Sequence, residues 1–279
     1  MFLFKTFIFY VTLISERLLN HGDYCSQIIF ANIYLFYIAF LVLFLGLLIY
    51  KKKYMTVVVG LLAGVLYFLV DYGIFHLLLH TRTISEGHSL FWVLLWMSLS
   101  YGFTNFTWIW LWISKDKNLF TWPFLIVLWW FCCPLLTKLV PGYSDNMIVI
   151  QRTTGEYHSY MALILAVGYL GVIIFNLIQK EKKNKIDIPW ILAIGILVQL
   201  SWELALLIGN IRSAGMDFEN KLQTLCINSL LETNLGMPYI YAIFIAYNSR
   251  FTEQLKKREN TLTFMQSLNE INCLSLRNN

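Results

Sequence analysis

Apolar residues gather in long runs separated by short polar connectors, and these runs set the predicted elements. Seven of them approach bilayer-spanning length, at 26–50, 54–80, 88–113, 119–140, 158–179, 189–211 and 225–248. A run of that kind can close every backbone hydrogen bond inside lipid only as a helix. The predicted fold is therefore an all-α, polytopic membrane bundle of seven transmembrane helices over 26–248. Residues 1–25 open with MFLFKTFIFYVTLISERLLN, whose uncharged stretch is short for a span and lacks a small-residue cleavage site. They read as an interfacial helix, with an eighth span as the alternative. After 248 the chain turns polar, yet Phe251, Leu255, Leu262, Met265 and Leu268 recur at helical spacing. Residues 249–279 are thus predicted to form an amphipathic tail helix, suited to the inner leaflet or to a protein partner.

The connectors give the orientation. Lys51, Lys52 and Lys53 follow the first run, Lys115 and Lys117 the third, and Lys180, Lys182, Lys183 and Lys185 the fifth. Arg250, Lys256, Lys257 and Arg258 follow the seventh, whereas the alternate connectors carry little beyond Arg82, Arg152, Arg212 and Lys221. The positive-inside rule places the lysine-rich group in the cytoplasm, so the N-terminus lies outside and the C-terminus inside a cell membrane. Composition agrees. Hydrophobic residues make up 58% of the chain and charged residues 13%, against about 25% charged in a soluble domain. The net charge of +5 sits in short runs beside apolar segments. That distribution speaks for membrane lipids and against nucleic acid.

Polar groups inside the runs are the candidate chemistry, because an ionisable side chain costs at least ~2.5–3.5 kcal/mol at membrane depth. The stretch DYGIFHLLLH, residues 71–80, ends the second run with an acid and two histidines. At ~1.5 Å rise per residue, Asp71, Glu203 and Glu232 come to ~13, ~12 and ~10 Å below the outer face. One depth for three acids suggests one pocket. Gly60, Gly64, Tyr67 and Asp71 share a helix face, and the glycine pair permits close approach of a neighbouring helix. Gln199, Glu203 and Asn210 form a stripe on the sixth run and Asn228, Glu232 and Tyr239 on the seventh. The fifth adds His158, Tyr169 and Asn176, and the third Ser98, Tyr101 and Asn105. The candidate ligand or proton site therefore comprises Asp71, Glu203, Glu232, Gln199, Asn228, Asn234, His158 and Tyr67. Arg82, Arg152 and Arg212 would stand at its rim to meet anionic groups, or Asp71 and Glu203 would pair structurally with Lys138 or Arg212.

His76 and His80 lie four apart, but α-helical geometry puts Asp71 about 140–180° around from them. They are weak metal candidates unless Glu232 or His158 completes a set, and a wet interfacial pair is the simpler reading. No cofactor is predicted, with a divalent metal left open. Trp108, Trp112, Trp122 and Trp190 fall at helix ends, as an interfacial belt would. Pro134 should kink the fourth helix, and Gly236 with Pro238 should loosen the seventh beside Glu232. Cys25 and Cys226 fall at outer helix ends, where an oxidising exterior would permit a disulfide. Serine-hydrolase, HExxH and phosphate-loop motifs are missing, as is a lysine in the seventh run to carry retinal. The resulting expectation is a membrane protein whose outward-facing acidic pocket binds or carries a small molecule, cation or lipid headgroup, with proton coupling. The alternatives are an outer-leaflet enzyme, or a sensor or assembly partner acting through its tail helix.

Overall fold

Between the lysine-rich turns the backbone is helical, as the apolar runs require. The structure, a computed structural model, describes residues 24–30, 33–139, 147–153, 158–180, 185–209, 211, 218–251 and 253. Of 24–30, 33–35, 147, 153 and 158 it describes the backbone alone. In chain order the elements are β1 (Tyr24–Phe30), α1 (Ile33–Tyr50), α2 (Tyr54–Phe68) with its π-helical continuation (Leu69–Leu78), and β2 (Arg82–Ile84). Then come α3 (Leu90–Ile113), α4 (Thr121–Thr137), β3 (Met147–Thr153), α5 (His158–Ile178), α6 (Ile188–Ile208) and α7 (Phe218–Leu231). The chain divides into two compact units, Met1–Met237 and Pro238–Asn279. In the second, 238–251 is helical and most of the predicted tail helix lies outside the described residues, as do residues 1–23.

Three helical stretches, Tyr54–Leu78, Ser159–Ile178 and Ile188–Ile208, are long and apolar enough to cross a membrane. Their outward faces expose large apolar side chains such as Leu62, Leu78, Leu163 and Leu177, a surface that only lipid would solvate without cost. The remaining helices overlap the apolar runs, but the first and the seventh run each differ from expectation. The seventh run breaks after Leu231, and 232–236 form turns. Gly236 and Pro238, poor helix formers both, fall at that break.

The all-α expectation needs correction. β1, β3 and β2 form a three-stranded antiparallel sheet with β3 in the centre. Tyr24 pairs with Thr153 and Phe30 with Met147, while Arg82 faces Arg152 and Ile84 faces Ile150. The first helix accordingly starts at Ile33, and Tyr24 and Cys25, at the end of the predicted N-terminal segment, belong to β1. YCSQIIF and MIVIQRT are apolar and rich in isoleucine and valine, so they suit a pleated surface. Hydropathy alone merges the first into the helix that follows. Cys25 belongs to β1, and Cys226 is a free, exposed thiol, so the predicted pairing is not supported.

α3 is the central helix. Fifteen of its 24 residues are buried, from Val93 to Ile113. It meets α2 at backbone contact distance: a Cβ on Gly102 would come 2.6 Å from Gly64 Cα, and one on Gly60 would come 2.8 Å from the Phe103 ring. The small-residue face on the second run serves the close approach it predicts. α1 packs through Tyr37, Phe40, Phe44 and Leu48, a helical stripe of buried residues. Opposite the sheet, α1 and α3 end alike. Lys52 and Lys115 take left-handed φ values of 58° and 52°. Lys53 N–H reaches Leu48 O, and Asp116 N–H reaches Leu111 O, closing Schellman-type caps. Lys53 then pairs with Asp116, joining the two turns. α6 starts with Asp187 capping the Trp190 N–H at 3.2 Å, with Pro189 in its first turn.

Candidate functional site

The second helix changes character as it reaches the acid. From Leu69 the α-helix continues for ten residues as a π-helix, with Asp71 in its first turn. Hydrogen bonding to i+5 widens the turn, so each residue advances less than the ~100° of an α-helix. The sequence-based angle separating Asp71 from His76 therefore does not apply here.

Asp71 is 6% exposed and Arg82 4%. Arg82 donates Nε–H to Asp71 Oδ1 at 2.8 Å, and Arg152 pairs with Oδ2 of the same carboxylate. The two arginines are direct neighbours across the β2–β3 ladder. Two like charges at such a cross-strand site repel, and Asp71 between them offsets that repulsion. Arg82 also donates to Thr81 and lies over the Phe75 ring at 4.5 Å. Burial, and after it the charge of Arg152, lowers the Arg82 pKa from its ordinary value, while Asp71 opposes the shift. The sequence reading gives Asp71 a partner in Lys138 or Arg212 and sets Arg82 and Arg152 on the rim. Instead Lys138 is exposed, Arg212 lies outside the described residues, and the sheet carries the other two onto Asp71.

A second polar group surrounds Gln199, which is fully buried on α6. Its Nε2 donates to Glu203 at 3.1 Å and to Glu232 at 2.5 Å. Its Oε1 accepts from Tyr101 at 2.7 Å and from Thr233 at 2.6 Å. Both donor hydrogens and both lone pairs of the amide are thereby used. Asn228 adds a longer bond to Glu203, at 3.4 Å. Thr233 is absent from the sequence-derived set, although it adjoins Glu232 in the chain. Asn234 is completely buried and accepts from Tyr169 at 3.4 Å. Gly195 on α6 makes room for it, since a Cβ there would overlap the Asn234 side chain.

Both groups border one cavity of about 460 Å³. Tyr67, Asp71, Arg82, Tyr101, Arg152 and Glu232 line it, together with apolar walls that include Phe75, Trp96, Phe106 and Trp202. Tyr67 meets Tyr101 edge-on at 5.0 Å, and Tyr101 meets Trp202 at the same separation. Glu203 and Gln199 support the lining from behind. His158 opens α5, but its side chain lies outside the described residues. His76 rests against Tyr72, and His80 is exposed with a left-handed φ of 52°. Among the described residues no three His, Cys, Asp or Glu side chains gather in a way that could hold a metal ion.

The tryptophans turn inward. Trp108, Trp112 and Trp122 are buried, and Trp112 stacks on Trp190 at 5.4 Å. Trp112 Nε1 donates to Leu119 O and Trp122 Nε1 to Asp116, so these indoles tie the α3–α4 turn. A belt facing lipid does not describe them. Compared with known protein families, curated proteins and solved structures, the chain shows no significant match.

Proposed function

We propose that this chain is a multi-pass protein of the cell membrane that binds or carries a small amphipathic molecule in the cavity between Asp71 and Glu232. Its orientation follows the lysine-rich connectors, so the sheet and the cavity face outward and the C-terminus lies inside. One observation carries the reading. A mainly apolar cavity, of a size that suits a small ligand, has four formally charged side chains in its wall. Buried charge is costly at membrane depth and is retained where it is used. The turns at 232–236 place Glu232 on irregular backbone beside the cavity, an arrangement suited to ligand contact within a membrane.

The test is ligand-dependent melting of the purified protein in detergent, with phospholipids, aliphatic amines and divalent cations as probes. At least one class should raise Tm by several degrees. Met97→Trp, which fills the cavity from α3, should abolish that rise while leaving the unliganded Tm close to wild type. If no class raises Tm, or if the rise persists in Met97→Trp, the cavity is not a binding site.

A further inference from the structure

We infer that the end of the molecule opposite the sheet carries a site for an anionic phospholipid headgroup, formed by the α1–α2 and α3–α4 turns. It is independent of the cavity. Lys51, Lys52, Lys115 and Lys117 are exposed there, two from each turn. The acid within these turns does not neutralise them. Asp116 pairs with Lys53, accepts from the Asn118 N–H at 3.0 Å and from Trp122 Nε1 at 3.1 Å, and keeps only 5% of its side chain exposed. Within the first unit Asp187 is the other described acid near this end, and it caps the Trp190 N–H of α6. The Lys53–Asp116 pair ties the two turns together, so the four exposed lysines belong to one surface.

Backbone geometry singles out two of the four. Lys52 and Lys115 each precede a member of that pair, and each takes a left-handed φ, of 58° and 52°. Such a position at a helix C-terminus usually falls to glycine, because a Cβ is strained there. Strain of this kind gathers where a side chain is used. Here it sets a charge at matching points of both turns, and an ammonium group is a good point charge for phosphate. Neighbouring side chains favour a lipid over a soluble phosphate. Tyr50, Tyr54, Phe120 and Phe124 flank the turns and are exposed, Tyr50 by 77% and Phe120 by 76%. Rings so exposed beside lysines suit the boundary between headgroups and acyl chains. Lys51 already lies over the Tyr50 ring, at 5.5 Å from its centre. In the proposed orientation this site meets the inner leaflet, where anionic lipids give the cytoplasmic surface its negative potential.

Titration of the full chain in detergent with phosphatidylglycerol and phosphatidylcholine of equal acyl chains, read as lipid adducts by native mass spectrometry, tests the site. Phosphatidylglycerol should bind at least roughly tenfold more tightly. Lys52→Gly with Lys115→Gly should erase that preference without lowering Tm, since glycine suits both left-handed positions. Lys52→Arg with Lys115→Arg keeps both charges and should retain the preference. Lys180→Gln with Lys185→Gln removes as much charge between α5 and α6 and should retain it too. No preference in the wild type, or a preference that survives in the glycine variant, overturns the site. An equal loss in the glycine and glutamine variants would show a diffuse attraction to the basic end and overturns it as well. Free glycerol phosphate displacing the bound lipid as well as an equal concentration of phosphatidylglycerol does would overturn the assignment to a lipid.

Discussion

Asp71 is the residue on which three elements converge: the π-helical segment, β2 and β3. Removing its charge strands the buried Arg82 and the half-buried Arg152, which face each other across a ladder. Asp71→Asn should therefore cost about 3–5 kcal/mol of stability, seen as a large drop in Tm. The double variant Asp71→Asn with Arg152→Gln should recover part of that loss, because one of the stranded charges is gone. A double variant no more stable than the single would show that the triad is not the energetic unit. Glu203 predicts the opposite pattern. Its Oε1 accepts from Gln199 and Asn228, and a glutamine carbonyl could accept the same two bonds. Glu203→Gln should melt near wild type, while Glu203→Ala, which leaves buried amides unpaired, should lose about 1–3 kcal/mol. Equal losses in both variants would instead reveal a charge that the fold needs. These acids are legible in the sequence because polar side chains stand out inside apolar runs. The partners of Asp71 are not, because Arg82 and Arg152 sit in connectors that only the sheet brings over the acid.

At the scale of elements the decisive contact is backbone against backbone. Gly64 and Gly102 let α2 and α3 touch, and any side chain at Gly102 meets the Gly64 backbone, which cannot rotate away. Gly102→Ala should force the helices apart and lower Tm substantially. Gly73→Ala, in open space on the π-helical segment, should change it little. A neutral Gly102→Ala would mean that the interface yields. Gly60 and Gly64 are visible in the sequence as a spaced pair, whereas Gly102, a lone glycine, carries no such signal. Neither does the π-helical segment, since the period of apolar residues does not reveal i→i+5 bonding. The opposite turns carry their own prediction. Burial works against the Asp116 charge, but hydrogen bonds from Lys53, Asn118 and Trp122 outweigh it and hold the carboxyl below its ordinary pKa. A depressed folded-state pKa stabilises above the unfolded value, near pH 4, and that contribution is lost as pH falls through the folded value. Asp116→Asn should thus lower Tm at neutral pH and converge with wild type in acid. A penalty independent of pH would assign it to packing instead.

At the largest scale, α1 to α4 of the first unit alternate between two ends that the structure marks differently. The Lys53–Asp116 pair joins the α1–α2 and α3–α4 turns at one end, and the sheet gathers the segments before α1, after the π-helical segment and after α4 at the other. That parity is the one the lysine-rich connectors imply. The proposed orientation puts the turn end in the cytoplasm, because Lys51–Lys53, Lys115 and Lys117 all lie there. Reporters fused after residue 53, 117, 184 or 258 should behave as cytoplasmic, and reporters near 85, 146 or 216 as external. The junction near 216 is the most exacting, since it lies between α6, which is long enough to cross, and α7, which ends at Leu231 before turns. If the chain crosses once more between 218 and 251, as the proposal requires, 216 reads outside and 258 inside. If it does not, both positions report the same side, which would reduce the proposed crossings to six and place the C-terminus outside.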